Sequence, residues 1–218
     1  MTLDTSKIRI SQSQAEYLYI LHLLHQHKHM GRYKLAQQLN ISNAKTRTIL
    51  TKLVKAELIE KSSKREGHHL SLYGKQVWIK CQKFILIPLK RIYLGPSYTI
   101  GKKDAAVCVE GTGIESLNTV VLRDEALISG ATGCTIFLRE PNNQYFLLDV
   151  IYPPLPKNPL SDKKVIRKLN RILTGTSWSK IFIIVGTANT VINALFGAIS
   201  AALLLVPEEI KAILQEIQ

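Results

Sequence analysis

LAQQLNIS (residues 35–42), followed directly by NAKTRTILTKLVKAELIEK (43–61), decides how the front of the chain folds. Leu35, Ala36 and Leu39 share one side of a short helix, and Asn40-Ile41 makes a tight turn. Ser42 is an N-cap, since its hydroxyl can accept an orphan N–H of the next helical turn. The helix it opens runs from Asn43 to about Glu57 and buries Ile49, Leu50, Leu53 and Val54. Asn43, Lys45, Arg47 and Thr48 are its early exposed positions, with Lys52 and Lys55 further on. Upstream, Ser13-Gln14-Ala15-Glu16 has the spacing of a capping box, and Leu18, Ile20, Leu21 and Leu24 recur at helical intervals through about His27. Gly31 separates that helix from the next. Downstream, Leu58–Lys61 and His68–Leu72 flank the polar tip Ser62–Gly67 as a β-hairpin. Gly74 to Ile87 continues as a helix with an apolar face of Val77, Trp78, Cys81, Phe84 and Ile85, ended by Pro88.

Three helices followed by a hairpin, with the wording LAQQLNIS, NAKTRTILTKLVKAELIEK and LSLYGKQVW (70–78), resemble the winged helix-turn-helix DNA-binding regulators over about residues 13–80. One departure is Glu57, where that family often has glycine. The resemblance implies that the third helix enters the major groove of double-stranded DNA while the hairpin wing touches the flanking backbone. Carried onto this chain, it points to Ser42, Asn43, Lys45, Thr46, Arg47, Thr48 and Lys52 on the helix. On the wing it points to Lys64, Arg65 and His68. The chemistry agrees: Asn pairs with an adenine edge, Arg with a guanine edge, and Lys neutralises phosphate. Such domains bind two-fold sites, so a homodimer is expected, and the apolar helix after the wing packs either on the partner subunit or within the monomer.

Charge divides the chain in the same place. It holds 29 Lys/Arg against 16 Asp/Glu, a net of +13. Residues 1–91 carry 17 of the basic and 5 of the acidic residues, while residues 92–218 carry 12 and 11. A basic module is therefore joined to an almost neutral one. The hydrophobic fraction of 46% excludes a disordered chain. Cys81, Cys108 and Cys134 form no CxxC pair, and residues 1–10 lack the apolar core of a secretory signal, so a reduced, cytoplasmic setting is expected. All six histidines lie in the basic module. His22, His25 and His29 stand at i, i+3, i+7, a spacing a metal can use, but no nearby carboxylate or thiol supports them. Solvated or DNA-proximal histidines are the simpler reading, and no metal or cofactor is expected.

The sequence divides into a winged helix over residues 1–73, a connecting helix over 74–91 and a second domain over 92–218. The second domain alternates strand and helix signals. Ala105–Val109 and Ile181–Val185 read as buried strands, Ser116–Leu127 as a helix, Cys134–Leu138 with Tyr145–Leu148 as a hairpin, and Asp162–Leu173 as a basic amphipathic helix. Together these predict an α+β or α/β chain whose C-terminal part is an α/β sandwich with a small mixed sheet. Residues 181–206 carry no charge, yet Gly186–Asn189 breaks the run, so a buried strand, turn and helix is expected and no membrane span. Two loops are candidates for a small anionic effector. One holds Gly111, Thr112 and Gly113; the other holds Gly186, Thr187 and Asn189 where a strand enters a helix. RDEALISGATGCTIF (123–137) and IIVGTANTVINALFGAISAALLL (183–205) resemble the C-terminal domain of archaeal winged-helix proteins whose function is uncharacterised. No nucleophile–base pair or metal triad is legible, so no catalytic residue is assigned. The leading expectation is a transcriptional regulator whose second domain senses a ligand or dimerises. Alternatives are an enzyme acting on nucleotides or nucleic acid, and an architectural DNA-binding protein.

Overall fold

Two segments distant in sequence share a core: residues 13–84 and 207–218 make one compact unit, and residues 85–206 make the other. The computed structural model describes residues 12–62, 67–88, 92–115, 117–148, 151–152 and 158–217.

The first unit begins with helices α1 (Gln12–His27), α2 (Arg32–Leu39) and α3 (Asn43–Lys55). Leu18, Leu21, Leu24, Leu35, Leu39, Leu50 and Leu53 are all buried, as their spacing requires. Asn40 closes α2 in the left-handed conformation, which a short polar side chain tolerates. The Ser42 hydroxyl accepts the Lys45 N–H at 3.1 Å, the expected cap of α3. The expected capping box is not formed: Ser13 lies inside α1, and Glu16 turns inward. Strands β1 (Ile59–Lys61) and β2 (His68–Leu70) pair antiparallel, with Glu60 opposite His69. Met30 exchanges two backbone hydrogen bonds with His68, at 2.9 and 3.0 Å, and so fixes the tip-proximal end of β2 to the α1–α2 connection.

Glu57 takes a left-handed φ of 57°, which explains why glycine often stands at that position. Its carbonyl is used: the Ser71 hydroxyl donates to Glu57 O and accepts the Gly74 N–H, which caps helix α4 (Leu72–Gln82). α4 is shorter than the expected Gly74–Ile87, because Ile85–Leu86 form strand β3 and pair with Val109 and Cys108. A two-residue apolar step fits either periodicity, so the sequence pattern alone could not separate them. Gly74 packs against Leu58 so closely that an added Cβ would stand 1.8 Å from the Leu58 carbonyl oxygen.

The second unit continues with β4 (Lys103–Glu110), β5 (Leu117–Asn118), α5 (Thr119–Ile128), β6 (Gly133–Arg139), β7 (Tyr145–Leu148), β8 (Ile151–Tyr152), α6 (Lys163–Ile172), β9 (Ile181–Ala188) and α7 (Val191–Leu203). Its main sheet has the order β3-β4-β9-β6-β7, and every pairing in it is antiparallel. The expected mixed sheet is thereby corrected, within the expected α+β class. Composition marks Ile181–Val185 as a central strand but carries nothing about direction. Alternate residues of the central strands face opposite sides. Cys108, Phe137, Ile181, Ile183 and Val185 share a core with Val165, Leu169 and Ile172 of α6. On the other face α7 packs on β4 and β9, with α5 beside it. Gly186 makes that packing close: a Cβ there would meet the Ala194 carbonyl oxygen at 2.0 Å. The uncharged run 181–206 is thus a strand, a turn and a helix, and among the described residues no helix is long and apolar enough to cross a membrane. Helix α8 (Glu208–Gln215) buries Ile210, Lys211 and Leu214 and groups with the first unit, whereas sequence order had put it in residues 92–218.

Gly74→Ala is expected to lower unfolding stability by about 1–3 kcal/mol, the usual range for an overpacked site, since the close approach is to backbone that cannot turn aside. Chemical denaturation of the full chain measures it. A stability equal to wild type would show that the α4–Leu58 approach is not tight.

Candidate nucleic-acid interface

Helix α3 sorts its side chains by turn. Asn43, Arg47, Thr48, Thr51 and Lys55 are exposed, whereas Thr46, Ile49, Leu50 and Leu53 are buried. Thr46 is therefore removed from the expected DNA-contacting set. It is fully buried, and its hydroxyl donates to the Ser42 carbonyl at 2.9 Å, inside the first turn. Ser42 itself is occupied as the cap. The Thr48 hydroxyl donates back to Ala44 O at 3.3 Å and the Thr51 hydroxyl to Arg47 O at 3.0 Å, which uses the donor of each. Lys52 is half-buried. Val54, expected in the core, is 41% exposed instead.

Lys45 is exposed along its stem but not free at its tip. Its Nζ lies 2.6 Å from Glu16 Oε1, and the Glu16 side chain has no solvent exposure. A carboxylate so enclosed needs a cation, and Lys45 supplies it from the first turn of α3. Lys45 therefore fixes the helix to α1 rather than serving as a loose phosphate contact. Asn43 and Arg47, one turn apart on the exposed side, are left to present donors and acceptors outward.

Arg47 also borders a cleft of about 690 Å³ between α3, the start of α2 and the hairpin. Leu50, Thr51, Val54 and Lys55 line one wall, Gly31, Arg32 and Tyr33 a second, and Lys61, Gly67 and His68 a third. The Arg32 guanidinium lies over the Tyr33 ring, 4.9 Å from its centroid, and donates to the Tyr33 hydroxyl at 3.1 Å. Arg32, Tyr33, Lys55 and Lys61 thus extend the basic surface beyond the residues chosen from α3. The recurrence of Arg47, Thr51 and Lys55 at four-residue intervals was the available signal; Arg32 and Tyr33 join only through the fold. Lys64 and Arg65 lie outside the described residues. His68 is half-buried, and burial, followed by Lys61, His69 and Arg32, holds its pKa below the ordinary value, so it is neutral near pH 7 and not a cation for phosphate.

The α1 histidines do not converge. His22 is 5% exposed, stacked beside Tyr19 and tilted against Trp78, and burial followed by the charges of His25 and His27 lowers its pKa to about 4. His29 meets Ser62 Oγ at 3.1 Å, and Ser62 Oγ meets His69 at 2.7 Å, so both rings are engaged in one chain of hydrogen bonds. His69 Nε2 further lies 3.3 Å from Glu60. Among the described residues no three His, Cys, Asp or Glu side chains are grouped to hold a metal ion.

In the two candidate anion loops of the second unit several groups are already engaged. The Gly111 N–H donates to Lys180 O at 2.8 Å, and the Thr112 N–H and hydroxyl both go to the Glu110 carboxylate. Gly113 is the left-handed end of that turn, with φ of 84°. Gly186 and Thr187 lie within β9, where Thr187 Oγ1 accepts the Gly101 N–H at 2.8 Å and Gly186 is where α7 packs closest. Asn189 is exposed, but Thr190, not Asn189, caps α7. These residues therefore serve backbone geometry. The cysteines are equally committed: burial pushes the thiols of Cys81 and Cys134 up to about 12 and that of Cys108 higher still, so none offers a thiolate near neutral pH.

Residues 10–66 match the MarR family, and residues 100–206 match a domain of unknown function (DUF4443). The solved structure of a hypothetical protein, PH0730 from Pyrococcus horikoshii OT3, is 24% identical, covers 94% of this chain and 98% of its own, and superposes with a TM-score of 0.71. That likeness is one of fold. No curated protein matches the chain.

His22 sets an expected pH dependence. Its folded pKa lies below the ordinary 6.5, so the unfolded chain binds the proton first, and stability is lost as pH falls from about 6.5 toward 4. The loss attributable to His22 reaches up to ~3 kcal/mol. Denaturation curves across this range, for wild type and His22→Leu, measure it: the variant should show the shallower pH dependence, and identical profiles would exclude His22 as the source.

Proposed function

We propose that this chain, a MarR family winged helix followed by a DUF4443 domain, is a DNA-binding transcriptional regulator that acts in the cytoplasm and reads double-stranded DNA with α3. The observation that carries this is the outward pair Asn43 and Arg47 on a helix whose first turn is tied down by Lys45–Glu16. A rigid helix with a guanine-reading and an adenine-reading side chain one turn apart suits major-groove readout, with Arg32, Lys55 and Lys61 supplying backbone attraction. The cleft beside Arg47 gives the phosphate backbone a place to run between α3 and the wing.

The regulator is read as a homodimer. Two exposed apolar surfaces support this: Leu72, Tyr73 and Ile79 on α4, and Val120, Leu127 and Ile128 on α5. Apolar side chains exposed at helical spacing are withdrawn from water when a second copy covers them, and a two-fold DNA site rewards that symmetry. The DUF4443 domain is proposed to set the dimer geometry. A small effector would act through it only by binding one geometry better than another.

Selection of bound duplexes from a random pool gives the site, and binding of that site against a scrambled duplex tests the reading. Arg47→Ala should lose ~1–3 kcal/mol of the discrimination, about tenfold to a hundredfold. Equal affinity of the wild-type chain for every duplex would overturn specific readout in favour of an architectural role.

A further inference from the structure

Helix α6 carries five of the 12 basic residues of positions 92–218: Lys163, Lys164, Arg167, Lys168 and Arg171. At 3.6 residues per turn they fall within an arc of roughly 140°. All five are exposed, while Val165, Leu169 and Ile172 on the opposite arc are buried in the core beneath the sheet. The nearest acid in sequence, Asp162, is spent on capping, accepting the N–H groups of Lys164 at 2.8 Å and Val165 at 3.1 Å. Lys168 donates to the Tyr93 carbonyl at 2.6 Å. Among the described residues none of the five forms an ion pair with a carboxylate. Lys163–Arg167, Lys164–Lys168 and Arg167–Arg171 are like-charge pairs four residues apart, which oppose helix formation. Stability therefore does not account for this face.

We infer that the basic face of α6 is a second contact to duplex DNA, binding the sugar–phosphate backbone beyond the site read by α3. The inference rests on the DNA reading proposed above. The chemistry selects this partner over the other polyanionic ones. A helix lying on a membrane needs an apolar face to insert, and the apolar arc of α6 is already buried in its own core. A protein partner would use an aromatic or aliphatic anchor at the centre of the contact, and the basic arc holds only cations. A duplex backbone asks for charge alone. From Lys163 to Arg171 the helix rises about 12 Å. At one charge per 1.7 Å of duplex axis, that length faces roughly seven phosphate charges. The near-neutral total of this module thus conceals a strongly cationic surface on one helix.

The test uses the full-length chain and the triple variant Lys164→Gln, Arg167→Gln, Arg171→Gln, three exposed side chains outside α3 and outside the core. Binding is measured against salt on a duplex carrying the selected site with long flanks. The slope of log affinity against log salt should fall by about 2–3, near 0.9 for each phosphate no longer neutralised, while discrimination between selected and scrambled sites is retained. The charge-conserving variant K164R/R167K/R171K should keep the wild-type slope. An unchanged slope in the neutralised variant overturns the inference, as does an equal loss in the charge-conserving one. Binding to anionic phospholipid vesicles that the neutralised variant loses, with no change on DNA, overturns it in favour of a membrane surface. If the wild-type chain discriminates no site yet the neutralised variant still loses slope, the α6 contact stands and specific readout by α3 fails.

Discussion

Glu16 is the group on which the front of this molecule turns. Its carboxylate is fully enclosed and meets one cation, Lys45, at 2.6 Å. Removing Lys45 would leave the enclosed Glu16 carboxylate without its cation, whereas removing Glu16 would leave a half-exposed Lys45 free to turn to water. The pair joins α1 to the first turn of α3, the turn that Ser42 caps and where the Thr46 hydroxyl bonds to Ser42 O. Three separate interactions thus hold one turn, and the orientation of the exposed side chains beyond it follows. Lys45 is consequently a positioning residue, and Asn43 and Arg47 are the groups with freedom to face a groove.

The surface around α3 is built by elements that the local sequence does not join. Arg32 and Tyr33 come from the start of α2, and Lys61 from the hairpin that Met30–His68 pins near its tip. His68 looks basic in sequence but sits where desolvation first, and then Lys61 and Arg32 among its neighbours, lower its pKa. Charge at this site is therefore carried by Arg and Lys, whose ionisation does not change near neutral pH. The same holds in the second unit, where a sheet with a helix layer on each face leaves α6 with its apolar arc buried and its cations outward.

Much of the first unit was legible because its signals are local: helical spacing, a serine cap, a tight turn at Asn40, two short strands. Thr46 was placed wrongly among the DNA-contacting residues on its polar side chain, although it stands with Ile49, Leu50 and Leu53 at i, i+3, i+4 and i+7, the spacing of the buried face. The inward turn of Glu16 was not legible, because its partner lies 29 residues away. In the second unit the strands were recognisable and their arrangement was not. β9 is the last strand in sequence yet lies at the centre of the main sheet, between β4 and β6. Gly186 and Thr187 resemble a loop by composition, but the glycine is there because Ala194 approaches too closely for any side chain. The run 181–206 shows how length alone misleads: a strand and a helix are both free of charge because both lie inside.

The central claim is that α3, held by Lys45–Glu16, places Arg47 against a guanine edge in the major groove. Methylation interference tests it most directly, because methylation of guanine N7 blocks that edge and leaves the phosphate backbone intact. The account predicts at least one guanine in the selected site whose methylation abolishes binding of the wild-type chain but has no further effect on Arg47→Ala. Binding of the wild-type chain that is indifferent to N7 methylation throughout the site would contradict it.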